Sequence, residues 1–365
     1  MSFFNKLFQK SDLKVLGLDI GSSAVKAVQL QEKNGRVYLD TYGSFVLGLY
    51  SGNEPGQAVQ LDPEKTTGVI KEMLSEAQVS TTRTVATIPL SSSIISVIEM
   101  PDVSEKQLDQ MIPLEAKKYI PSSLDEVMLD WSLVGEKKVE VKDEGSNKKE
   151  QIKKKEVMLV AIHKDILERQ QNIIEQVELE AAAYEIEVFT IYRSALSNAG
   201  SETVLVVDMG ASLTKLQIIS EGVVRASHSI NRGSQDITQA FAKSLDISWA
   251  EAEMVKRDLG ISGKHPQILE ASLLTLDYIF DEIRRIVNAY QARYSKAVEK
   301  VVFSGGGGSL PGLNKKAQDS LQMTVETARP FDNMVVPEFL KSTLEEIGPE
   351  FTVAVGAAMR GLEEK

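Results

Sequence analysis

The sequence contains the same short turn twice, and this repetition limits the folds open to the chain more than any other feature. Leu16–Ser23 reads Leu-Gly-Leu-Asp-Ile-Gly-Ser-Ser, and Val206–Ser212 reads Val-Val-Asp-Met-Gly-Ala-Ser. In both copies an apolar run is followed by an Asp, an apolar residue, a Gly and small polar residues. Apolar and polar residues alternate again after each turn, so each copy predicts a β-hairpin.

The composition of these turns is typical of a phosphate-binding site. Gly21 and Gly210 allow the backbone to turn sharply and to bring N–H groups close to an anion. Asp19 and Asp208 cannot face a phosphate themselves, so we interpret them as ligands, through water, of a hard cation that the phosphates also hold. Two such turns predict an α/β fold with an internal duplication, in which two related domains hold one nucleotide.

Composition and charge exclude several classes of protein. The chain has 365 residues, 42% of them hydrophobic, which predicts two or more domains with folded cores. A net charge of −11 argues against nucleic-acid binding, and the lack of cysteine excludes disulfides and thiolate zinc sites. The three histidines lack metal-ligand spacing. No apolar run reaches the roughly 18 residues of a membrane helix, and the first residues do not resemble a signal peptide. We therefore expect a soluble, intracellular protein.

The region before residue 95 predicts strands and one helix. Strands are expected at Val15–Leu18, Ala24–Leu30, Val37–Val46 and Thr84–Ile88, and the helix at Thr66–Gln78.

A different pattern begins near residue 95 and predicts a compact α+β insertion at 95–183. Its first helix begins after Ser104, where Gln107 is placed for a capping box, and ends at Ile120. The predicted elements that follow are strands at Val127–Leu133 and Val157–Ile162 and a helix at Asp165–Ala181. We interpret the charged run Glu136–Glu156 as a long, solvated hairpin tip; contact of its lysines with a membrane or a partner is the alternative.

The second half repeats the order of hairpin, helices and strand. Its predicted elements, after a linking segment of helical spacing at Val188–Leu196, are Val204–Val207, Val223–Ser227, Gln235–Ser244, Trp249–Leu259, Leu269–Tyr294, Val301–Ser304 and Phe351–Met359.

Two further motifs suit the binding of a nucleotide. Gly305–Gly308 directly follows a predicted strand and precedes a helix start, where glycines let a base, ribose or phosphate approach the backbone. A flexible linker is the alternative. On a helix, Glu253, Lys256 and Arg257 share one face, which also suits a solvated, salt-bridged surface.

Together these motifs resemble the phosphate 1, phosphate 2 and adenosine motifs of the actin, Hsp70 and sugar-kinase superfamily. Within it, the chain resembles the FtsA branch and, more closely, the PilM family of type IV pilus assembly proteins, over essentially its whole length. Gly17–Lys26, Met100-Pro101 and Val353–Ala358 also carry this resemblance. It implies an actin-like ATPase fold of two duplicated, ribonuclease H-like domains. The implied boundaries are a tail at 1–13, a first domain at 14–200 that returns at 340–365 and contains the FtsA/PilM-type insertion at 95–183, and a second domain at 201–339.

The resemblance implies that ATP and Mg²⁺ occupy the cleft, with Asp19 and Asp208 orienting the hydrated ion. The other implied nucleotide-binding residues are Gly21, Ser22, Ser23, Lys26, Gly210 and Ser212 around the phosphates, and Gly233, Glu253, Lys256, Gly305, Gly306 and Gly307 around the adenosine. Glu187 matches the position where relatives place a Gln or Glu that orients the attacking water. A surface Glu at a strand end is the alternative.

Three departures from the superfamily patterns shape the functional prediction. No base for a sugar hydroxyl follows Glu187, which argues against a sugar kinase. After Met359 the sequence offers neither the substrate-binding domain of an Hsp70 nor the basic membrane helix of FtsA. An FtsA-like, filament-forming ATPase of cell division or shape is the first alternative, and a metabolic kinase is the second.

The resemblance to PilM implies a protein whose task is to bind its partners and ATP rather than to turn ATP over. It would be a cytoplasmic scaffold, peripherally associated with the inner membrane, that captures the N-terminal tail of the bitopic protein PilN in a groove between the first subdomain and the insertion. Slow or absent hydrolysis, contacts with other pilus motor or platform proteins and self-association are further expectations. At the N-terminus, Phe3, Phe4, Leu7 and Phe8 form an apolar stripe. It suits a tail docked on the body or left disordered, and a membrane-surface helix is the alternative.

Overall fold

The structure, a computed structural model, describes residues 13–142, 149–196, 200–261 and 266–364, with only the backbone described at 138–142 and 149–150. The predictions for Phe3–Phe8 therefore lie outside the described residues. The elements of the first half are β1 (Leu13–Ile20), β2 (Ala24–Lys33), β3 (Arg36–Val46), α1 (Gly48–Ser51), α2 (Pro63–Glu76), β4 (Arg83–Ile88), β5 (Ser93–Pro101), α3 (Glu105–Ala116), β6 (Val127–Lys142), β7 (Lys149–His163), α4 (Lys164–Gln176), β8 (Glu180–Ile186) and α5 (Glu187–Ala195). Those that follow are β9 (Thr203–Met209), β10 (Thr214–Ser220), β11 (Val223–Ile230), α6 (Ser234–Leu245), α7 (Trp249–Leu259), α8 (Pro266–Tyr294), β12 (Lys300–Ser304), α9 (Leu313–Leu321), β13 (Thr324–Thr327) and α10 (Lys341–Glu363).

Two five-stranded sheets have the same strand order, which confirms the predicted α/β duplication. The first sheet runs β3-β2-β1-β4-β8, and the second runs β11-β10-β9-β12-β13. In each sheet three antiparallel strands are extended by two parallel ones. Both repeated turns join the central antiparallel pair, β1 to β2 and β9 to β10, so each turn lies at the carboxyl end of a buried central strand.

The last long helix, α10, completes the core of the first half. Phe351, Ala354 and Val355 of α10 are buried in one cluster with Val15 of β1 and Val28 of β2. A Cβ at Gly17 would lie 2.0 Å from the carbonyl oxygen of Ala354, so only glycine lets the helix approach this closely. The predicted helix at 351–359 is thus the middle of a longer one.

The insertion contains a three-stranded sheet, β5-β7-β6, with α3 packed on one face through Leu108 and Ile112. The predicted capping box is confirmed, because the Ser104 N–H donates to Gln107 Oε1 at 3.1 Å. The helix itself ends earlier than expected, at Ala116.

The sequence predictions of secondary structure differ from the structure in several details. The charged run Glu136–Glu156 is a long hairpin, as predicted, but most of it belongs to the strands β6 and β7, which pair from Glu136–Lys155 out to Lys142–Lys149. The helix predicted at Asp165–Ala181 stops at Gln176, since β8 begins at Glu180 and pairs with β4. The short parallel strands β8 and β13 are not predicted, because neither has the apolar alternation of a half-buried strand. β8 begins at Glu180 and belongs to the first sheet, so it overlaps the end of the insertion predicted at 95–183. The domain boundaries given above therefore remain a proposal. Within the described residues no helix is both long and apolar enough to cross a membrane.

Candidate nucleotide-binding site

The two repeated turns face each other and are closed in the same way. The Gly21 N–H donates to Ala24 O at 3.0 Å, and the Gly210 N–H donates to Leu213 O at 2.9 Å. Between the turns, Ser212 Oγ lies 3.4 Å from Ser22 Oγ. Since the glycine N–H groups are used inside the turns, the donors left for a ligand belong to the residues that follow. In the described backbone network, no hydrogen bond uses the N–H groups of Ser22, Ser23, Ala211 and Ser212.

Asp19 and Asp208 are buried behind these turns, with 6% and 5% of their surface exposed. Thr87 Oγ1 donates to Asp19 Oδ1 at 3.2 Å. Burial raises the pKa of Asp19 to about 6, with Lys26 opposing the rise and Glu187 adding to it. The carboxylates of both turns and of Glu187 therefore influence one another, as a single cleft requires.

Glu187 is the first residue of α5 and is only 5% exposed, so the alternative of a surface Glu at a strand end is wrong. Its Oε2 accepts the Leu90 N–H at 3.1 Å and lies 2.5 Å from Lys215 Nζ. A carboxylate at a helix N-terminus is also favoured by the helix dipole. Glu187, which the resemblance implies orients the attacking water, thus lies in the cleft and is paired with Lys215.

Lys215 is a site residue that the sequence analysis missed. Its Nζ bridges Glu187 Oε2 and Asp208 Oδ2, at 2.5 and 3.4 Å. Burial alone would lower the pKa of Lys215, but attraction to Glu187 and Asp208 outweighs it and raises this pKa. Aligning the two turns would have found it, because Lys215 follows Asp208 at the same interval as Lys26 follows Asp19.

The glycine run is a packed turn, so the alternative of a flexible linker is wrong. Gly305 has φ 78°, and a Cβ there would lie 2.6 Å from Asp208 Oδ1. Its N–H donates to Pro349 O at 2.8 Å, which ties the run to α10. A Cβ on Gly307 would lie 2.5 Å from Met209 Cγ, whereas one on Gly306 would meet only ordinary contacts. The run therefore places bare backbone beside the second turn.

The N-terminus of α6 also begins at the second turn. The Ser234 N–H donates to Gly210 O at 2.9 Å. A Cβ at Gly233 would lie 2.2 Å from the Ala211 carbonyl oxygen, which explains why this position requires glycine. The predicted residues Gly210, Ser212 and Gly233 are thus brought together.

Glu253 and Lys256 form a buried ion pair on α7, as their spacing predicts. Glu253 Oε2 lies 2.6 Å from Lys256 Nζ and accepts from Thr238 Oγ1 at 2.7 Å, while Oε1 lies 2.9 Å from Arg257 Nε. Burial would raise the pKa of Glu253, but Lys256 and its other partners hold it below its usual value. Only Arg257 is exposed, so the alternative of a solvated face is wrong for the pair itself.

A segment of the first half, residues 55–59, crosses the cleft to α6 and α7, and we name it the strap. It begins to cross where the Val59 N–H donates to Ser22 O at 2.8 Å. On the far side, Trp249 Nε1 donates to Pro55 O at 2.9 Å. Gly56 has φ 82°, and a Cβ on it would lie 2.7 Å from Glu253 Cδ. No motif in the sequence marked this contact.

Comparison with known proteins identifies the family. A family model described as type IV pilus assembly protein PilM matches residues 17–362. Among curated proteins, cell division protein FtsA of Bacillus subtilis is 23% identical over 260 residues, which are 65% of this chain and 55% of FtsA. The chain thus spans about half the length of that curated relative.

Solved structures agree with this family. A PilM–PilN type IV pilus biogenesis complex matches with a TM-score of 0.78 and 26% identity, covering 96% of this chain and 99% of the solved one. MreB 5 of Spiroplasma citri, bound to AMPPNP, matches with a TM-score of 0.55 at 14% identity, over 96% and 97% of the two chains. EutJ of Carboxydothermus hydrogenoformans has the same TM-score and identity, over 95% and 89%. The latter two support the actin-like fold alone. The chain belongs to the type IV pilus assembly protein PilM family, an FtsA-like branch of the actin superfamily.

Proposed function

We propose that this protein is an ATP-binding cytoplasmic scaffold of the type IV pilus inner-membrane assembly complex, which binds the N-terminal tail of a PilN-like bitopic membrane protein. The likeness to the solved PilM–PilN complex, over 96% of this chain, carries the proposal. The family match over residues 17–362 supports it. Contacts with other pilus motor or platform proteins and self-association are secondary parts of the proposal. Membrane association would be peripheral and would arise through the partner.

The residues of the cleft fit Mg-ATP in their chemistry. Gly305 keeps the backbone bare beside Asp208, where a Cβ would collide with the carboxylate. Both aspartates are buried at the turns, and carboxylates that reach a hard cation through water are common ligands of Mg²⁺. Backbone N–H groups after each turn and Lys26, opposite Asp19, are suitable donors for phosphate oxygens.

In this proposal Asp19 and Asp208 orient hydrated Mg²⁺, which would neutralise part of the phosphate charge. The residues proposed to contact the phosphates are Gly21, Ser22, Ser23, Lys26, Gly210 and Ser212. Those proposed to contact the adenosine are Gly233, Glu253, Lys256, Gly305, Gly306 and Gly307.

We propose that hydrolysis is slow or absent. Glu187 Oε2 accepts the Leu90 N–H at 3.1 Å, so this oxygen is already used by the backbone of the first half and is not free to orient a water. That contact favours a scaffold, in which nucleotide occupancy matters, over a fast ATPase.

The nucleotide part of the proposal is tested by titrating Mg-ATP into the wild type and into the Asp19→Asn and Asp208→Asn variants. We expect each substitution to weaken binding at least about tenfold, the cost of one lost charge-assisted contact. Asp319→Asn, an exposed change on α9, controls for the lost charge and should bind like the wild type. Unchanged affinity in both cleft variants would refute the assignment of the cleft.

The partner part is tested by titrating a synthetic N-terminal tail peptide of the PilN-like protein from the same organism, with a scrambled peptide as control. We expect saturable binding of the native peptide only. Co-expression with the full partner should move the protein into the membrane fraction. Recovery of FtsZ instead of a pilus protein would favour the FtsA-like alternative, and rapid phosphorylation of a small metabolite would favour a kinase.

A further inference from the structure

Lys215 is a buried cation that none of the roles assigned above uses. Its side chain is only 13% exposed, and it bridges carboxylates from two elements, Glu187 of α5 and Asp208 of β9. We propose that Lys215 binds a phosphate group of the nucleotide and gives up Glu187 when the nucleotide arrives. This inference rests on the proposed nucleotide site.

The register of the two hairpins places a lysine opposite each cleft aspartate. Asp19 pairs with Lys26 across β1 and β2, and Asp208 pairs with Lys215 across β9 and β10. Directly opposite residues of antiparallel strands share one face of the sheet, with Cβ atoms about 4.5–5.5 Å apart. Both lysines therefore lie on the same side as the aspartates, one on each flank of the facing turns.

The charges of the cleft favour a change of partner for Lys215 when a polyphosphate binds. Three carboxylates, Asp19, Asp208 and Glu187, stand with two ammonium groups, Lys26 and Lys215, which leaves one net negative charge. This set repels a polyphosphate in either arrangement. Contact of the Lys215 ammonium with a phosphate oxygen shortens the distance between opposite charges and so offsets more of that repulsion than contact with Glu187 does.

The chemistry of the lysine side chain allows this exchange. An ammonium group is a point charge with three donors on a flexible stem, so a phosphate oxygen can take the place of a carboxylate oxygen without a fixed geometry. Lys215 lies three residues after Ser212, in the strand that leaves the second turn.

In this exchange Glu187 and the nucleotide phosphate compete for Lys215. The experiment measures that competition as a change in nucleotide affinity. Affinity for AMPPNP with Mg²⁺ is determined by calorimetry for the wild type, Glu187→Gln, Lys215→Met and the double variant. We expect Glu187→Gln to tighten binding about threefold to tenfold, since a neutral amide releases Lys215. We expect Lys215→Met to weaken it about tenfold or more, the loss of one charge-assisted hydrogen bond. In the double variant the gain from Glu187→Gln should disappear.

The double variant separates the exchange from simple charge repulsion. If Glu187→Gln tightens binding as much in the Lys215→Met background as in the wild type, Glu187 only repels the phosphates and the exchange is refuted. Unchanged affinity in Lys215→Met also overturns it. Lys215→Arg, which keeps the charge, should retain most of the affinity. Lys315→Met, at an exposed position of α9, controls for the lost positive charge.

Two further comparisons keep the outcome decisive. Lys215→Met leaves Glu187 unpaired and is the variant most at risk of unfolding, so the double variant is also compared directly with Glu187→Gln. Neither contains that carboxylate, and about tenfold weaker binding in the double variant supports the proposal. Absence of AMPPNP binding in the wild type refutes the nucleotide site itself, and with it this role. If the wild type binds AMPPNP and substitution of Lys215 leaves the affinity unchanged, only the proposed role of Lys215 is refuted.

Discussion

The two hairpins are copies of one design, and they differ in what the rest of the molecule brings to them. Both turns close with the same glycine hydrogen bond, and both place a lysine opposite the aspartate. In the second copy α5 adds Glu187, which pairs with Lys215. Among the described residues, Lys26 forms no salt bridge of this kind. The two copies thus share the turn but differ in their surroundings. As a result, Lys215 is in an ion pair with Glu187, whereas Lys26 has no such partner among the described residues.

A second difference lies two residues before each aspartate. The first copy has Gly17, against which α10 packs with its backbone, whereas the second has Val206, buried in the cluster that includes Val188 of α5. Within the described part of the chain, no helix packs against β9 as α10 packs against β1. The two halves have the same topology, but helix backbone packs against the central strand of the first and side chains pack against that of the second.

The largest effect should come from breaking this packing difference. We expect Gly17→Ala to lower the free energy of unfolding by about 5 kcal/mol, because the new Cβ collides with helix backbone that cannot move away. Val206→Ala, the matched change in the second copy, should cost only about 2 kcal/mol as a cavity. Urea denaturation measures both, and equal costs would contradict the account of α10.

The next effect concerns the two lysines. Lys215→Met should lower the free energy of unfolding by about 4 kcal/mol, because Glu187 would remain buried without its partner. Lys26→Met should cost less, about 1 kcal/mol, since Lys26 attracts Asp19 without forming a salt-bridge contact. Adding Glu187→Gln to Lys215→Met should recover most of the loss. A double variant as unstable as Lys215→Met alone would show that the ion pair is not the cause.

A third effect, on the first copy, depends on pH. Burial raises the pKa of Asp19 from 3.8 to about 6. A raised pKa in the folded state means that the stability linked to this carboxyl is fully present below pH 3.8 and is lost as the pH rises through about 6. The shift corresponds to a loss on the order of 3 kcal/mol. Without nucleotide and metal, Asp19→Asn should flatten the pH dependence of urea unfolding over this range. The same slope in both proteins would argue against a buried carboxyl of this kind.

The smallest effect concerns the strap, which connects the two copies. Gly56→Ala and Gly52→Ala both place a side chain at positive φ, which costs about 1 kcal/mol each. Only Gly56 also touches Glu253; a Cβ at Gly52 meets nothing within 4 Å. We expect Gly56→Ala to cost about 1 kcal/mol more and to shift the Trp249 fluorescence in a Trp131→Phe background. Identical spectra in the two variants would mean that the strap is not held by this contact.

Patterns that repeat along the chain could be predicted from the sequence, and contacts between distant segments could not. The paired turns gave the duplicated halves, and spacing on one helix gave the Glu253–Lys256 pair. Strands β8 and β13 are short and lack apolar alternation, so their existence depends on the neighbours that they pair with. The fate of Glu187 depended on Lys215, 28 residues away, and that of Glu253 on the strap. Neither contact leaves a local signal.

The position of α10 sets an order for folding during synthesis. The first half is translated first, but its core lacks Phe351, Ala354 and Val355 until α10 has left the ribosome. One of the two clusters that cover the second sheet comes, by contrast, from one continuous stretch between Leu205 and Ala317, whereas the other includes Val188 and Val353. We expect the second half to begin folding before α10 completes the core of the first half. The order of folding would then be the reverse of the order of translation.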